Sequence, residues 1–173
     1  MKAFIRNARV SDAEDIEELN TKSWLKAYEG IIPEEKMEEH ISYPQDRLKE
    51  KKKDDKLIFL VAVVEEKVVG TINFCWSKEN THDFINLNNG EAQLRSVYLH
   101  PDYWGEGIGT KLFNEGKEKL PDKIDILKVE SIKENKIGRG FYRKLGFEEI
   151  EESQVELFGD NYDTVIQKKH LEN

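Results

Sequence analysis

Residues 100–116 read HPDYWGEGIGTKLFNEG, with Gly105, Gly107 and Gly109 at alternate positions just ahead of an apolar-periodic run. A main chain without Cβ atoms lets its N–H groups approach a bound group closely, and a helix starting there adds the positive end of its dipole. The pattern suits an anion, most often a phosphate. Ile108, Leu112, Phe113 and Leu120 predict one apolar helix face, with Lys117 and Lys119 in the last turn and Pro121 as the stop. Which phosphate is bound, and in which fold, depends on the flanks.

Upstream, AQLRSVYLHP (92–101) predicts a strand ended by Pro101, preceded by a loop, HDFINLNNGE (82–91). KLIFLVAVVEEKVVGTINFCWS (56–77) holds two β-branched and aromatic runs around Glu65-Glu66-Lys67 and predicts a hairpin. FIRNARV (4–10) alternates, and Ser11 or Asp12 is a natural N-cap for a helix reaching to about Tyr28 on Ile16, Leu19, Trp24 and Tyr28. Gly30 stops that helix and Pro33 opens a polar region, interrupted by Pro44, that predicts a pair of short helices. Downstream lie a strand, KIDILKVES (123–131), and a short helix, ENKIGRGFYRKL (134–145), ended by Gly146. The tail from Glu148 to His170 predicts two strands around a turn at Gly159-Asp160-Asn161. The order β-α-α-β-β-β-α-β-α-β-β describes an α/β (α+β) fold. Its central sheet is mixed and mostly antiparallel, of about seven strands flanked by about four helices, in a single domain over 1–173.

Composition narrows the function. With 38% hydrophobic and 36% charged residues in 173, the chain is globular rather than disordered. A formal net charge of −8 disfavours broad nucleic-acid binding, which needs clustered Lys and Arg. No apolar run approaches the roughly 20 residues of a membrane span, and the first residues do not read as a signal peptide, so a cytoplasmic location is expected. Cys75, the only cysteine, excludes an intrachain disulfide and sits in an apolar run as a buried thiol. His40, His82, His100 and His170 are scattered, and no metal site is expected. Charge is uneven: between Asp12 and Glu39 ten acids stand against three bases, whereas Lys133, Lys136, Arg139, Arg143 and Lys144 face Glu134 alone. These are either two solvated helix faces or an acidic rim for an amine and a cationic wall for a polyanion.

Three phosphate-loop chemistries compete. A P-loop needs G-x-x-x-x-G-K-[ST], which GEGIGTK lacks. A dinucleotide fingerprint needs G-x-G-x-x-G in the first strand–helix turn, whereas here the glycines come past mid-chain, after antiparallel strands. The third is carried by two motifs together. LRSVYLHPDYWGEGIGTKLF resembles [Q/R]-x-x-G-x-[G/A] after an apolar-aromatic strand, with Gly107 and Gly109 as its glycines and Trp104 in place of Gln or Arg. ENKIGRGFYRKLGF resembles N-x-x-A-x-x-F-Y-x-K-x-G-F, with Gly138 in the Ala position. In this order and spacing they resemble the GNAT superfamily of acyl-CoA-dependent N-acyltransferases, over essentially the whole chain.

The resemblance implies that the strand before the loop splays from its neighbour and that the pantetheine arm of acetyl-CoA pairs there with Val97, Tyr98 and Leu99 by β-augmentation. It implies a diphosphate held on the N–H groups of Trp104, Gly105, Glu106 and Gly107 and, at the helix start, Ile108, Gly109 and Thr110. Asn135 matches the residue that holds the cofactor arm, and Arg139, Arg143 and Lys144 would offset phosphate charge. Tyr142 matches the general acid for the departing sulfur. The base is not transferable: many members carry Glu where this chain has Gln93. Glu91, two residues earlier and on the same face if the strand extends so far, is the candidate, directly or through water. Trp24, Tyr28 and Glu29 are expected to receive a cationic amine, of which a polyamine is one class.

The expected function is transfer of an acetyl group to a primary amine in a ternary complex, with no metal and no nucleic-acid or membrane partner. Exposed terminal strands would support a homodimer. Alternatives are a protein or peptide amine as acceptor, a non-catalytic acyl-CoA-binding module, and a nucleotide-binding protein.

Overall fold

The computed structural model describes residues 2–40, 45–51, 53–77 and 85–172. Its strands are β1 (Phe4–Asn7), β2 (Leu57–Val64), β3 (Lys67–Cys75), β4 (Glu91–Leu99), β5 (Ile126–Ile132), β6 (Glu148–Leu157) and β7 (Asp160–His170). Its helices are α1 (Ala13–Ala27), α2 (Glu34–His40), α3 (Gln45–Lys51), α4 (Ile108–Lys117) and α5 (Lys136–Lys144). All seven strands join one sheet in the order β1-β2-β3-β4-β5-β7-β6, antiparallel except between β4 and β5. The mixed, mostly antiparallel sheet read from the sequence is the observed one, with five helices. Pro44, His82 and the His40 side chain lie outside the described residues.

The hairpins close as the strand twist requires. Two-residue turns with both φ angles positive match the right-handed twist of the strands they join. Glu65 and Glu66 (φ 49 and 68) form one between Val64 and Lys67. The last hairpin closes at Phe158 and Gly159 (φ 54 and 80), with Leu157 opposite Asp160. The turn is therefore not Gly159-Asp160-Asn161: Asp160 and Asn161 already belong to β7. Phe158 is held in this unfavourable conformation while its ring packs edge-on against Trp24, 6.1 Å away.

Each sheet face carries its own apolar layer. α1 packs Ile16 and Leu19 onto Phe59, Val61 and Val68. On the other face, α4 and α5 set Leu112, Phe113 and Tyr142 against Ile72, Phe74, Leu94 and Val129. Each large apolar side chain so buried contributes about 1.5–3 kcal/mol. At the start of α1, Asp12 is the N-cap by position, yet its carboxylate makes no capping bond. It accepts instead from both terminal nitrogens of Arg6 (2.7 and 2.8 Å) and from the Arg9 N–H (2.7 Å), tying β1 to the helix entry. Helix α4 stops at Lys117, so Leu120 reaches the core from beyond it and Lys119 lies outside its last turn.

Gly116 sets how closely α4 approaches the sheet, because a Cβ there would fall 2.3 Å from Cε2 of the fully buried Phe74. Gly→Ala inside a helix ordinarily gains about 1 kcal/mol. Here overpacking reverses the sign, and G116A is expected to destabilise by about 1–3 kcal/mol in a denaturant melt. Adding Phe74→Leu should recover part of that loss.

Candidate active site

Pairing between β4 and β5 is short. Glu91, Ala92 and Gln93 lie beside Ile126, Leu127 and Lys128, and there it ends, although β4 continues to Leu99 and β5 to Ile132. The cause lies across the sheet. Phe74 opposes Leu94 and Asn73 opposes Ser96, which leaves Arg95 as the extra residue of a β-bulge. A bulge bends its strand and raises the local twist. β4 therefore leans away from β5 just past Gln93, opening a wedge in the middle of the sheet.

The main chain bordering the wedge alternates. The His100 N–H bonds Val69 O on β3 (2.9 Å), so Tyr98, in the same phase, also turns its main chain toward β3. Val97 and Leu99 turn theirs into the wedge. Of the three residues expected to offer main-chain groups there, Tyr98 contributes a side-chain wall instead. The Leu99 carbonyl is engaged too, accepting 2.9 Å from Nε1 of Trp104. Trp104, standing where Gln or Arg was expected, thus pins the glycine loop to the end of β4.

The loop opens onto the same wedge. Gly105 and Gly107 have φ of 85 and 78, which L side chains rarely adopt, and a Cβ on either would meet open space. Gly109 answers to packing: its Cβ would lie 3.0 Å from Leu99 Cδ1 and from Phe141 Cε2. α4 has Gly107 as an N-cap without a side-chain capping bond, and its first helical hydrogen bond is Lys111 N–H to Gly107 O. The N–H groups of Ile108, Gly109 and Thr110 precede that bond and form a donor cradle of the kind that receives anions. Two expected donors are not part of it. The Trp104 N–H bonds Pro101 O (3.1 Å) and the Glu106 N–H bonds Tyr103 O (3.4 Å), within the tight turn.

Wedge and cradle belong to one cleft of about 590 Å³, whose walls also include Trp24, Tyr28, Glu130, Asn135, Tyr142 and Lys144. The cleft thus has an anion cradle at one end and a parted sheet beneath it. A model of the acetyltransferase (GNAT) family matches residues 14–147. This chain belongs to that family. A spermidine N(1)-acetyltransferase from Thermoplasma acidophilum is 28% identical over 178 residues, covering 98% of this chain and 99% of that one. An uncharacterised N-acetyltransferase from Methanocaldococcus jannaschii is 31% identical over 149 residues, covering 85% of this chain and 61% of that one. Among solved structures, the PaiA N-acetyltransferase of Thermoplasma acidophilum in complex with coenzyme A superposes with a TM-score of 0.78 at 25% identity, over 99% of this chain and all of that one.

In this GNAT N-acetyltransferase, Tyr142 of α5 lines the cleft, 8% exposed, with its ring edge-on to Phe141 and Phe147. Its hydroxyl makes no hydrogen bond among the described residues. Burial, reinforced by Tyr28 and Tyr98, pushes its phenol far above the ordinary value, so it stays protonated. Asn135 caps α5, its Oδ1 accepting from the Gly138 N–H at 2.9 Å. An Ala Cβ at position 138 would fall 2.9 Å from Asn135 Nδ2, which explains the glycine in the motif's Ala position. Asn135 lines the cleft as expected of a residue near the cofactor arm, with its Oδ1 taken by the cap of α5. Lys144 and Lys136 reach the cleft, but Arg139 and Arg143 do not: both engage Glu149 of β6, at 2.6 and 3.2 Å, and Arg139 also donates to Lys133 O.

The acidic groups require the largest corrections. β4 does begin at Glu91, but the Glu91 carboxylate is outside the cleft walls, accepting from Lys128 Nζ (2.7 Å) and the Asn88 N–H (2.8 Å). Burial pushes that carboxyl up, yet these two donors outweigh it and hold it below its ordinary value, the wrong direction for a base. Gln93, 2% exposed, lies outside the cleft walls as well. Glu29 follows Tyr28 in the turn just past α1. It pairs with Lys26 at 2.9 Å and faces an outer groove, while Trp24 and Tyr28 line the cleft, rings 4.8 Å apart.

The acid that does reach the cleft is Glu130 of β5, which the sequence reading missed. It is half-buried, and its Oε1 accepts from Thr164 Oγ1 at 2.6 Å. Burial pushes its carboxyl above the ordinary value, Glu151 adding to the rise against the Thr164 bond. Its one trace in the sequence is a charge at alternate phase within KIDILKVES, which a solvated strand face would show equally.

Proposed function

We propose that this enzyme moves the acetyl group of acetyl-CoA onto a primary amine of a small cationic molecule, a polyamine being the class, by direct attack in a ternary complex. The observation that carries this is the through-sheet cleft, with a donor cradle at the α4 end and, among the described residues, one carboxylate in its walls, that of Glu130 on the α1 side. The spermidine N(1)-acetyltransferase relative matches along nearly its whole length, which supports the polyamine class.

Acetyl-CoA supplies an activated acetyl thioester. The N–H groups of Ile108, Gly109 and Thr110, with Lys144 nearby, bind its diphosphate, while Val97 and the Leu99 N–H hold its arm along β4. Trp24 and Tyr28 stack against the amine-bearing chain, and Glu130 holds its charge. Glu130 first takes a proton from the ammonium, which frees the nitrogen lone pair to attack. As the N–C bond forms and the C–S bond breaks, Tyr142 protonates the departing sulfur, and the second proton leaving the nitrogen replaces the one that Tyr142 gave. Holding both substrates in one cleft supplies much of the acceleration.

A panel of polyamines, monoamines and peptide N-termini, scored by thiol release from acetyl-CoA, tests the reading. Polyamines are expected to give the highest kcat/KM. Preference for peptides, or release that no amine accelerates, would overturn the substrate class.

A further inference from the structure

Ser131 follows Glu130 on β5, and strand alternation sends the two side chains to opposite faces of the sheet. Glu130 meets Thr164 on the α1 side. Ser131 is in phase with Leu127 and Val129, which pack in the layer under α4 and α5. There it lines the cleft beside Asn135 and Tyr142, only 8% exposed. Its hydroxyl oxygen is buried and has no hydrogen-bond partner among the described residues.

Folded proteins rarely leave a buried hydroxyl unpaired, because it has lost water without gaining a replacement. The neighbouring polar groups do not serve Ser131. The Asn135 Oδ1 accepts from the Gly138 N–H, and the Glu130 Oε1 from Thr164 Oγ1. The missing partner therefore comes from whatever enters the cleft.

We propose that the Ser131 hydroxyl binds the acyl-thioester arm from the β5 side of the wedge, donating a hydrogen bond to one of its amide or thioester carbonyls. This rests on the acetyl-CoA reading above and adds a contact to it. An arm lying between diverging strands reaches the main chain of one of them, here Val97 and Leu99 of β4. The opposite wall contributes through a side chain.

Calorimetric titration of the parent enzyme and Ser131→Ala with coenzyme A and acetyl-CoA tests this, alongside melting of both proteins without ligand. S131A is expected to bind about five- to tenfold more weakly. Its ligand-free melting temperature should be unchanged or raised, since the substitution removes an unsatisfied group. Ser131→Thr, which keeps a hydroxyl, should retain most of the affinity. Equal affinity in S131A and parent would overturn the Ser131 contact alone. Loss of affinity matched by loss of ligand-free stability would overturn it too, by marking a structural role. No binding by the parent would instead overturn the acetyl-CoA reading beneath it.

Discussion

Glu130→Gln lowers kcat/KM for the amine by about a hundred- to thousandfold, the range in which a positioned base ordinarily acts. The same substitution raises the melting temperature at neutral pH. The direction follows from linkage: Glu130 has its folded pKa raised, so the stability associated with its protonated form is fully present below the unfolded value and lost as pH rises through the folded one. Glutamine carries no charge to desolvate. Melting curves of the two proteins should therefore coincide in acid and separate toward neutrality, with the variant higher. In the parent, kcat/KM should fall on the acid side at a pH above the ordinary carboxylate range, and E130Q should lack that limb. Glu91→Gln is the contrast, with activity within about twofold of the parent, because its carboxylate bonds Lys128 and Asn88 away from the cleft. A hundredfold loss in E91Q with E130Q active would overturn the assignment.

Tyr142→Phe lowers kcat by about a hundredfold while KM for acetyl-CoA changes by less than about threefold. The ring that packs on Phe141 and Phe147 is retained, and only the hydroxyl is removed. Burial keeps that hydroxyl protonated across the working pH range, as an acid for the sulfur needs. Steady-state kinetics separates the roles. Preserved kcat with a raised KM would mean that Tyr142 only shapes the cleft. Because Tyr142 and Glu130 are assigned to different protons of one reaction, the double variant should lose less than the product of the single losses.

Much of the fold was legible because its signals are local. The β-branched runs around Glu65-Glu66-Lys67, the period of Ile108, Leu112 and Phe113, and the prolines at 33, 101 and 121 act within a turn or two of themselves. The two spaced motifs were legible for the same reason, since three glycines and a helix start build the cradle within one segment. The final turn was misread by a residue because strand twist, together with the Phe158–Trp24 contact, selects its position.

The sequence by itself determined the strand order along the chain, the glycine cradle and the tyrosine on α5, since each follows from neighbours in the chain. Only the tertiary structure decided which charges meet the cleft. Lys128 draws Glu91 away across two strands, Glu149 draws Arg139 and Arg143 to the sheet edge, and the bulge at Arg95 opens the wedge that Glu130 faces. A charged side chain settles wherever its desolvation is offset, and that partner lies far away in the chain, so no local pattern could reveal it.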